Sequence, residues 1–292
     1  MISQSSKAKG SVIQALDRGL QLIELISQAS TPVPLAQLAR ELHVNRSTAH
    51  RLLGTLVAHG YIRQDPVTKH YSLGLKLLEL GRHVIDDLDL YALARPFLKA
   101  LVQESGEGVS LVSLSGTQGI CLDHEPSSAA LAVTTNIGSC FPLHATAAGK
   151  ILLVGLPPEQ SQELLEPSSL IPYTPHTITH VPALMRHINL ARERGYAVDD
   201  EERYQGVRSV ACAVYDHHQQ VVSALSLGGP SVRVSLDRIP TLAAAVGRTA
   251  AQISEALGCK SYPQLVCSER ISVDDMAPSA GESSHPRLIA AF

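Results

Sequence analysis

Several features are missing from this 292-residue chain, and each absence narrows what it is. No apolar run reaches the eighteen or so residues that a membrane helix needs. The stretch Met1 to Gly10 is polar, carries Lys7 and Lys9, and leads into no apolar signal core. A cytoplasmic protein without membrane contact is therefore expected. The five cysteines (Cys121, Cys140, Cys212, Cys259 and Cys267) are odd in number and form no C-x-x-C pair, which argues against a disulfide framework or a cysteine zinc site. Free, mostly buried thiols are expected instead. There is no G-x-S-x-G elbow, no Walker loop and no dinucleotide fingerprint, so no cofactor is implied and three common enzyme classes drop out.

Some residues that invite chemistry fit it poorly. Of the thirteen histidines, His176 and His180 stand four apart, but Pro172 and Pro175 make their segment a loop rather than a ligand-bearing helix. His217 and His218 fall at a turn between two strand patterns. No metal site is expected. The run Asp199-Asp200-Glu201-Glu202 has the residue type of catalytic acids, yet neighbouring carboxylates point in different directions and commonly form a solvated edge.

What is present is organised in two parts. The net charge of −3 hides an asymmetry: residues 1–76 carry nine Lys/Arg against four Asp/Glu, a balance of +5, which leaves −8 for the remainder. A basic front on an acidic body suits a nucleic-acid-binding head on a regulatory body. The head reads as 10–73. Val12, Leu16, Leu20, Ile23 and Ile26 form one helical stripe over 12–29, and Pro32 stops that helix. A second helix opens near Pro34 with Leu35, Leu38, Ala39 and Leu42 at i, i+3, i+4 and i+7. After His43 and Val44, Asn45 is a good N-cap for a third helix carrying Ala49, Leu52, Leu53 and Leu56, which Gly60 ends.

Two short helices joined by a tight turn describe a helix-turn-helix. The third helix offers Asn45, Arg46, Ser47, Thr48 and His50 in its first turns, where base edges of a major groove would be met, with Arg51 placed for a phosphate. The runs Tyr61-Ile62-Arg63 and His70-Tyr71-Ser72-Leu73, around a turn at Asp65-Pro66, make a hairpin. A hairpin directly after the recognition helix is a wing, from which Lys69 and His70 reach a minor groove or backbone. A helical bundle with a solvated basic face is the plainer alternative.

Residues 74–88 read as a linker helix, with Leu77, Leu80, Val84 and Leu88 along one seam that suits a dimer contact or packing on its own domain. The body, 89–259, opens with an amphipathic helix over Leu90–Ser105. Strands are expected at Val109–Ser113, Ile120–Asp123, Ala197–Asp199, Ser209–Tyr215 and Val221–Leu227. Helices are expected at Pro182–Arg194 and about Leu236–Leu257, with another opened by His144 to Gly149. Separate runs of strands and helices imply an α+β domain with a mainly antiparallel sheet. Residues 260–292, rich in Ser, Pro, Asp and Glu, read as a loosely ordered tail.

These residues resemble the IclR family of transcriptional regulators over roughly 11–258. The head is similar in Ala15 to Leu20, Leu38-Ala39, Arg46 to Leu53, and Leu56 through Gly60-Tyr61. The body is similar in Pro142 to Lys150, Gly195 to Glu202, Gly206 to Ala211, and Val222 to Pro230. The resemblance implies a winged-helix head, a linker helix and a GAF-like effector domain. It also implies a homodimer or dimer of dimers on palindromic double-stranded operator DNA, and control of a catabolic operon, more commonly by repression, through a small organic acid.

By the same resemblance, Ser209, Ser226 and Gly228 floor the effector pocket, Asp199 edges it, and Val133 and Phe141 wall it. Ser209 stands where some members carry cysteine, and Gly228 where some carry serine, so a different or larger ligand than a glyoxylate-like acid is expected. Independently, a helix opening at 144–149 offers unpaired N–H groups to an anion, and the small Ala147 and Ala148 let it approach. The competing classes are an enzyme that turns over the acid, and a structural DNA-binding protein whose interior would be filled and wholly apolar.

Overall fold

The structure, a computed structural model, describes residues 13–86, 89–165 and 170–263. It divides into two compact units, Met1–Leu88 and Asp89–Phe292. The N-terminal unit runs α1 (Gln14–Ser27), α2 (Leu35–Glu41), α3 (Arg46–Ala58), β1 (Ile62–Gln64), β2 (Tyr71–Leu73) and α4 (Lys76–Asp86).

The helix-turn-helix forms for local reasons. His43 takes a left-handed conformation (φ 53°), and the Val44 N–H bonds back to the Ala39 carbonyl at 3.0 Å. Asn45 caps α3 by accepting the Thr48 N–H at 2.8 Å, which satisfies one donor that the helix itself leaves open. Leu38 of α2, Leu42 just after it and Leu53 of α3 then close a small core with Leu22, Ile26, Val33, Ile62 and Tyr71. Val33 also exchanges two backbone hydrogen bonds with Tyr71, so the hairpin gains a third, one-residue strand.

α1 corrects the expected stripe. Leu16 and Leu20 are exposed, whereas Gly19, Leu22 and Ile26 are buried and Ile23 is half-buried. Both sets have helical spacing, and the surfaces available to cover them decide which one turns inward. Val12 of that stripe and Leu88 of the linker seam lie outside the described residues. Gly74 marks a close approach: a Cβ there would sit 2.0 Å from the Gly60 carbonyl oxygen.

The C-terminal unit is α+β. It runs α5 (Asp89–Ser105), β3 (Gly108–Ser115), β4 (Gln118–Glu125), β5 (Cys140–Pro142), α6 (Ala147–Val154), α7 (Pro158–Leu164), α8 (Val181–Arg194), β6 (Tyr196–Asp200), β7 (Val207–Tyr215), β8 (Val221–Pro230) and α9 (Ile239–Ala256). Six strands form one sheet in the order β5-β4-β3-β8-β7-β6, with every neighbouring pair antiparallel.

Alternation along the strands sorts the two faces. Val109 and Leu111, Leu225 and Leu227, Val210, Cys212 and Val214 belong to the core that α5 and α9 cover. Burying each of the large aliphatic side chains contributes about 1.5–3 kcal/mol. Ala197, Ala211, Ala213 and Ala224 share the second core with residues of α6 and α8. Small residues on that face let α6 lie close.

The structure also differs from expectation at element edges. β5 and α7 are too short for a periodic signal. α6 starts at Ala147, not at His144, because the Thr146 hydroxyl accepts the Gly149 N–H at 3.1 Å and sets the cap there. A single 3₁₀ turn at Leu236–Arg238 precedes α9. Of the expected tail, residues 264–292 lie outside the described residues. No described helix is long and apolar enough to cross a membrane.

Candidate functional site

The exposed face of α3 carries Arg46, Ser47, His50 and Arg51, with Thr48 half-buried. No acidic residue interrupts the helix, and neither arginine has a salt-bridge partner among the described residues. Asn45 differs from its neighbours: its side-chain oxygen serves the Thr48 N–H and the Ser47 hydroxyl, both at 2.8 Å. Its geometry makes it a cap first.

The wing is shaped by Asp65, whose carboxylate accepts the Val67 and Thr68 N–H groups at 2.9 and 2.7 Å. Those bonds pull its pKa below the usual value. Lys69 sits at the turn in a left-handed conformation (φ 58°) with its side chain exposed, and His70 is half-buried beside it.

The body holds a cavity of about 400 Å³, a size that takes a small organic molecule. Its floor is the polar end of the sheet face whose alanines lie in the second core. One rung places His124, Ser110 and Ser226 on β4, β3 and β8. The next places Gly108, Gly228, Ser209 and Asp199 on β3, β8, β7 and β6. Val133 and Phe141 border the cavity, as do Ala148 of α6 and Asp199, Ser209, Ser226 and Gly228 of the sheet. Ala147 does not; it is buried in the core.

Ser110, His124, Thr146 and Arg203 line the cavity as well, and the sequence had not singled them out for it. Ser110 and His124 lie fourteen residues apart and meet only through strand pairing, with the Ser110 Oγ 3.0 Å from His124 Nδ1. Burial pushes the His124 pKa down, which favours the neutral ring.

The acidic run behind the cavity is not a solvated edge. Asp199 and Glu202 are each only 4 % exposed. Lys150, projecting from α6 and almost wholly buried, pairs with Glu202 and donates to the Val198 carbonyl at 2.9 Å. Asp199 accepts the Glu202 N–H at 2.8 Å and the Ser209 hydroxyl at 3.4 Å. One ammonium thus binds Glu202 directly and reaches Asp199 only through its charge. Burial, and secondly the Glu202 charge, push Asp199 up to about 7, against the opposing pull of Lys150. Burial likewise raises Glu202. Asp200 and Glu201 instead meet Arg208, at 2.6 and 3.6 Å.

Among the described residues, no three of the His, Cys, Asp and Glu side chains gather as a metal site would require. His217 and His218 occupy the turn between β7 and β8.

Comparison with known proteins converges on one group. Residues 82–255 match the family description "Bacterial transcriptional regulator IclR C-terminal", and residues 15–66 match "IclR helix-turn-helix domain". The chain is 34% identical to the HTH-type transcriptional regulator XynR of Escherichia coli (strain K12), over 86% of this chain and 99% of that protein. It is 36% identical to the acetate operon repressor of Salmonella typhimurium (strain LT2), over 84% of this chain and 90% of that protein. A crystal structure of a transcriptional regulator from Rhodococcus sp. RHA1 superposes with a TM-score of 0.72 at 31% identity, over 84% of this chain and 98% of that one.

Proposed function

The chain belongs to the IclR family of bacterial transcriptional regulators, and from that membership we propose that it represses a catabolic operon under control of a small organic acid. The family and its relatives are DNA-binding regulators, not enzymes. In this reading α3 enters the major groove. Arg46, Ser47, Thr48 and His50 face base edges, Arg51 holds a phosphate, and Lys69 and His70 add wing contacts. Asn45 supports them as the cap.

The observation that carries the ligand half is the cavity in the body. A purely structural DNA-binding protein has no use for an opening of that size floored by serines and glycines. Its wall includes Ala148 in the first turn of α6, at the positive end of the helix dipole, which favours an anion.

A homodimer or dimer of dimers is supported by Leu16 and Leu20 on α1, and by Leu75 and Leu78 at and within α4, all more than half exposed. A palindromic operator follows from a two-fold protein. Repression is supported by relatives that carry the word repressor in their names. A regulator of DNA in a bacterium works in the cytoplasm.

The test is binding of the purified chain to double-stranded DNA selected from a random library, with and without small acids. Salt-sensitive binding that an acid weakens is the expected result. Filling the cavity with Ser209→Leu abolishes the acid response, judged against the acid-free binding of the same variant. A response that survives the leucine moves the ligand site elsewhere.

A further inference from the structure

Several arginines of this body meet carboxylates. Arg95 pairs with Asp123 at 2.6 Å, Arg208 with Asp200 at 2.6 Å, and Arg233 with Glu107 at 2.6 Å. Arg203 lines the cavity and has no carboxylate partner among the described residues, although it directly follows four acidic side chains. Each of those four is engaged elsewhere. Glu202 is held by Lys150, while Asp200 and Glu201 lie against Arg208. Asp199 accepts from the Glu202 N–H and the Ser209 hydroxyl.

The Arg203 guanidinium is nonetheless held in place. It lies 3.8 Å from the Tyr173 ring centre and 5.1 Å from that of Tyr204. Tyr173 stacks in turn on His144, with ring centres 5.7 Å apart. Stacking occupies the flat face of a guanidinium and leaves its N–H edge available. The Arg203 Nε is buried without a partner among the described residues. Tyr173 and Tyr204 are both exposed, which puts this stack where the cavity meets solvent.

We propose that Arg203 is the specificity-determining anchor of the effector, pairing its N–H edge with the carboxylate of an organic anion at the cavity mouth. This rests on the body cavity being the effector site. The rest of the ligand then extends inward over Ser209 and Ser226 toward Ser110 and His124. The cavity floor crosses five neighbouring strands from β4 to β6, each step about 4.8 Å. An elongated acid fills that floor, and a three-carbon acid leaves most of it uncovered.

The experiment uses the full chain and three acid–amide pairs: pyruvate with pyruvamide, benzoate with benzamide, and adipate with adipamide. Thermal-shift titration gives each dissociation constant through mass action. The unaltered chain is expected to bind benzoate or adipate more tightly than pyruvate, and each acid more tightly than its amide. Arg203→Gln is expected to weaken the best acid by roughly 10- to 100-fold, the loss of a charge-assisted hydrogen-bonded pair, and to leave its amide unchanged. Arg203→Lys keeps the charge without the fork and falls between.

Equal acid and amide affinities in the unaltered chain overturn the anchor, as does an acid affinity that Arg203→Gln leaves intact; the cavity reading survives both. Tightest binding of pyruvate overturns the elongated shape. No shift with any acid brings down the cavity reading itself, and the anchor with it. If Arg203→Gln loses the parent's unfolding transition, the acid–amide comparison in the unaltered chain decides the question.

Discussion

Asp199→Asn is the substitution whose effect follows most directly from the buried charge balance. In the folded chain this carboxyl titrates near 7, against an ordinary value of 3.8. The difference is worth about 4 kcal/mol of lost preference for the ionised form. Because the folded-state value is raised, the stability contribution is fully present below about pH 3.8. It declines as pH rises toward 7 and is gone above it. Asparagine keeps an oxygen for the Glu202 N–H, offers an amide toward the Ser209 hydroxyl, and never ionises. The variant therefore lacks that decline.

Between pH 5 and pH 8 the stability of Asp199→Asn relative to the parent is expected to improve by about 3 kcal/mol. This is an upper figure, because Glu202 shares the Lys150 ammonium and takes part of the response. Urea unfolding of both proteins at pH 5, 6, 7 and 8 reads the difference, with tyrosine fluorescence following the body. A relative stability that does not change with pH refutes the picture of an Asp199 carboxyl whose ionisation burial opposes.

Other expectations rest on single contacts. Arg51→Ala weakens binding to all DNA and reduces the slope of log affinity against log salt by about one unit, as the loss of one phosphate contact requires. An unchanged slope removes Arg51 from the backbone contacts. Gly149→Ala places a Cβ 2.4 Å from the Leu143 Cα and carbonyl oxygen, so α6 must shift. The cost is at least the roughly 1–3 kcal/mol of an overpacked core, seen as a lower unfolding midpoint; a midpoint equal to the parent's contradicts the packing of α6 against 143.

Much of the head was legible because its signals are local. Asn45 as cap, the short turn after α2, and the hairpin around Asp65 each depend on residues a few positions apart. The α+β character of the body was legible for a similar reason: period-2 and period-3.6 patterns fall in separate segments. α1 was the exception. Its sequence offers two apolar stripes, and the one containing Leu16 and Leu20 looks as suitable as the one that is buried.

The site was legible in part. The family resemblance and the small residues opening α6 pointed to Val133, Phe141, Ala148, Asp199, Ser209, Ser226 and Gly228, and all seven border one cavity. Ser110, His124 and Arg203 escaped notice because nothing adjacent to them in the chain signals their use. The meaning of Arg203 lies in what its acidic neighbours bind instead, and the burial of Asp199 and Glu202 depends on Lys150 arriving from α6.

The amino-acid order alone therefore settled which long segments are helix and which are strand, that Asn45 caps α3, and that a basic head precedes an acidic body, since propensity, capping and charge act over a few residues. Folding settled which stripe is covered, which carboxyls leave water, and that Arg203 faces the cavity without a carboxylate partner among the described residues. Those outcomes are sums over groups brought together from distant parts of the chain, and burial multiplies the energy of each charge that it encloses.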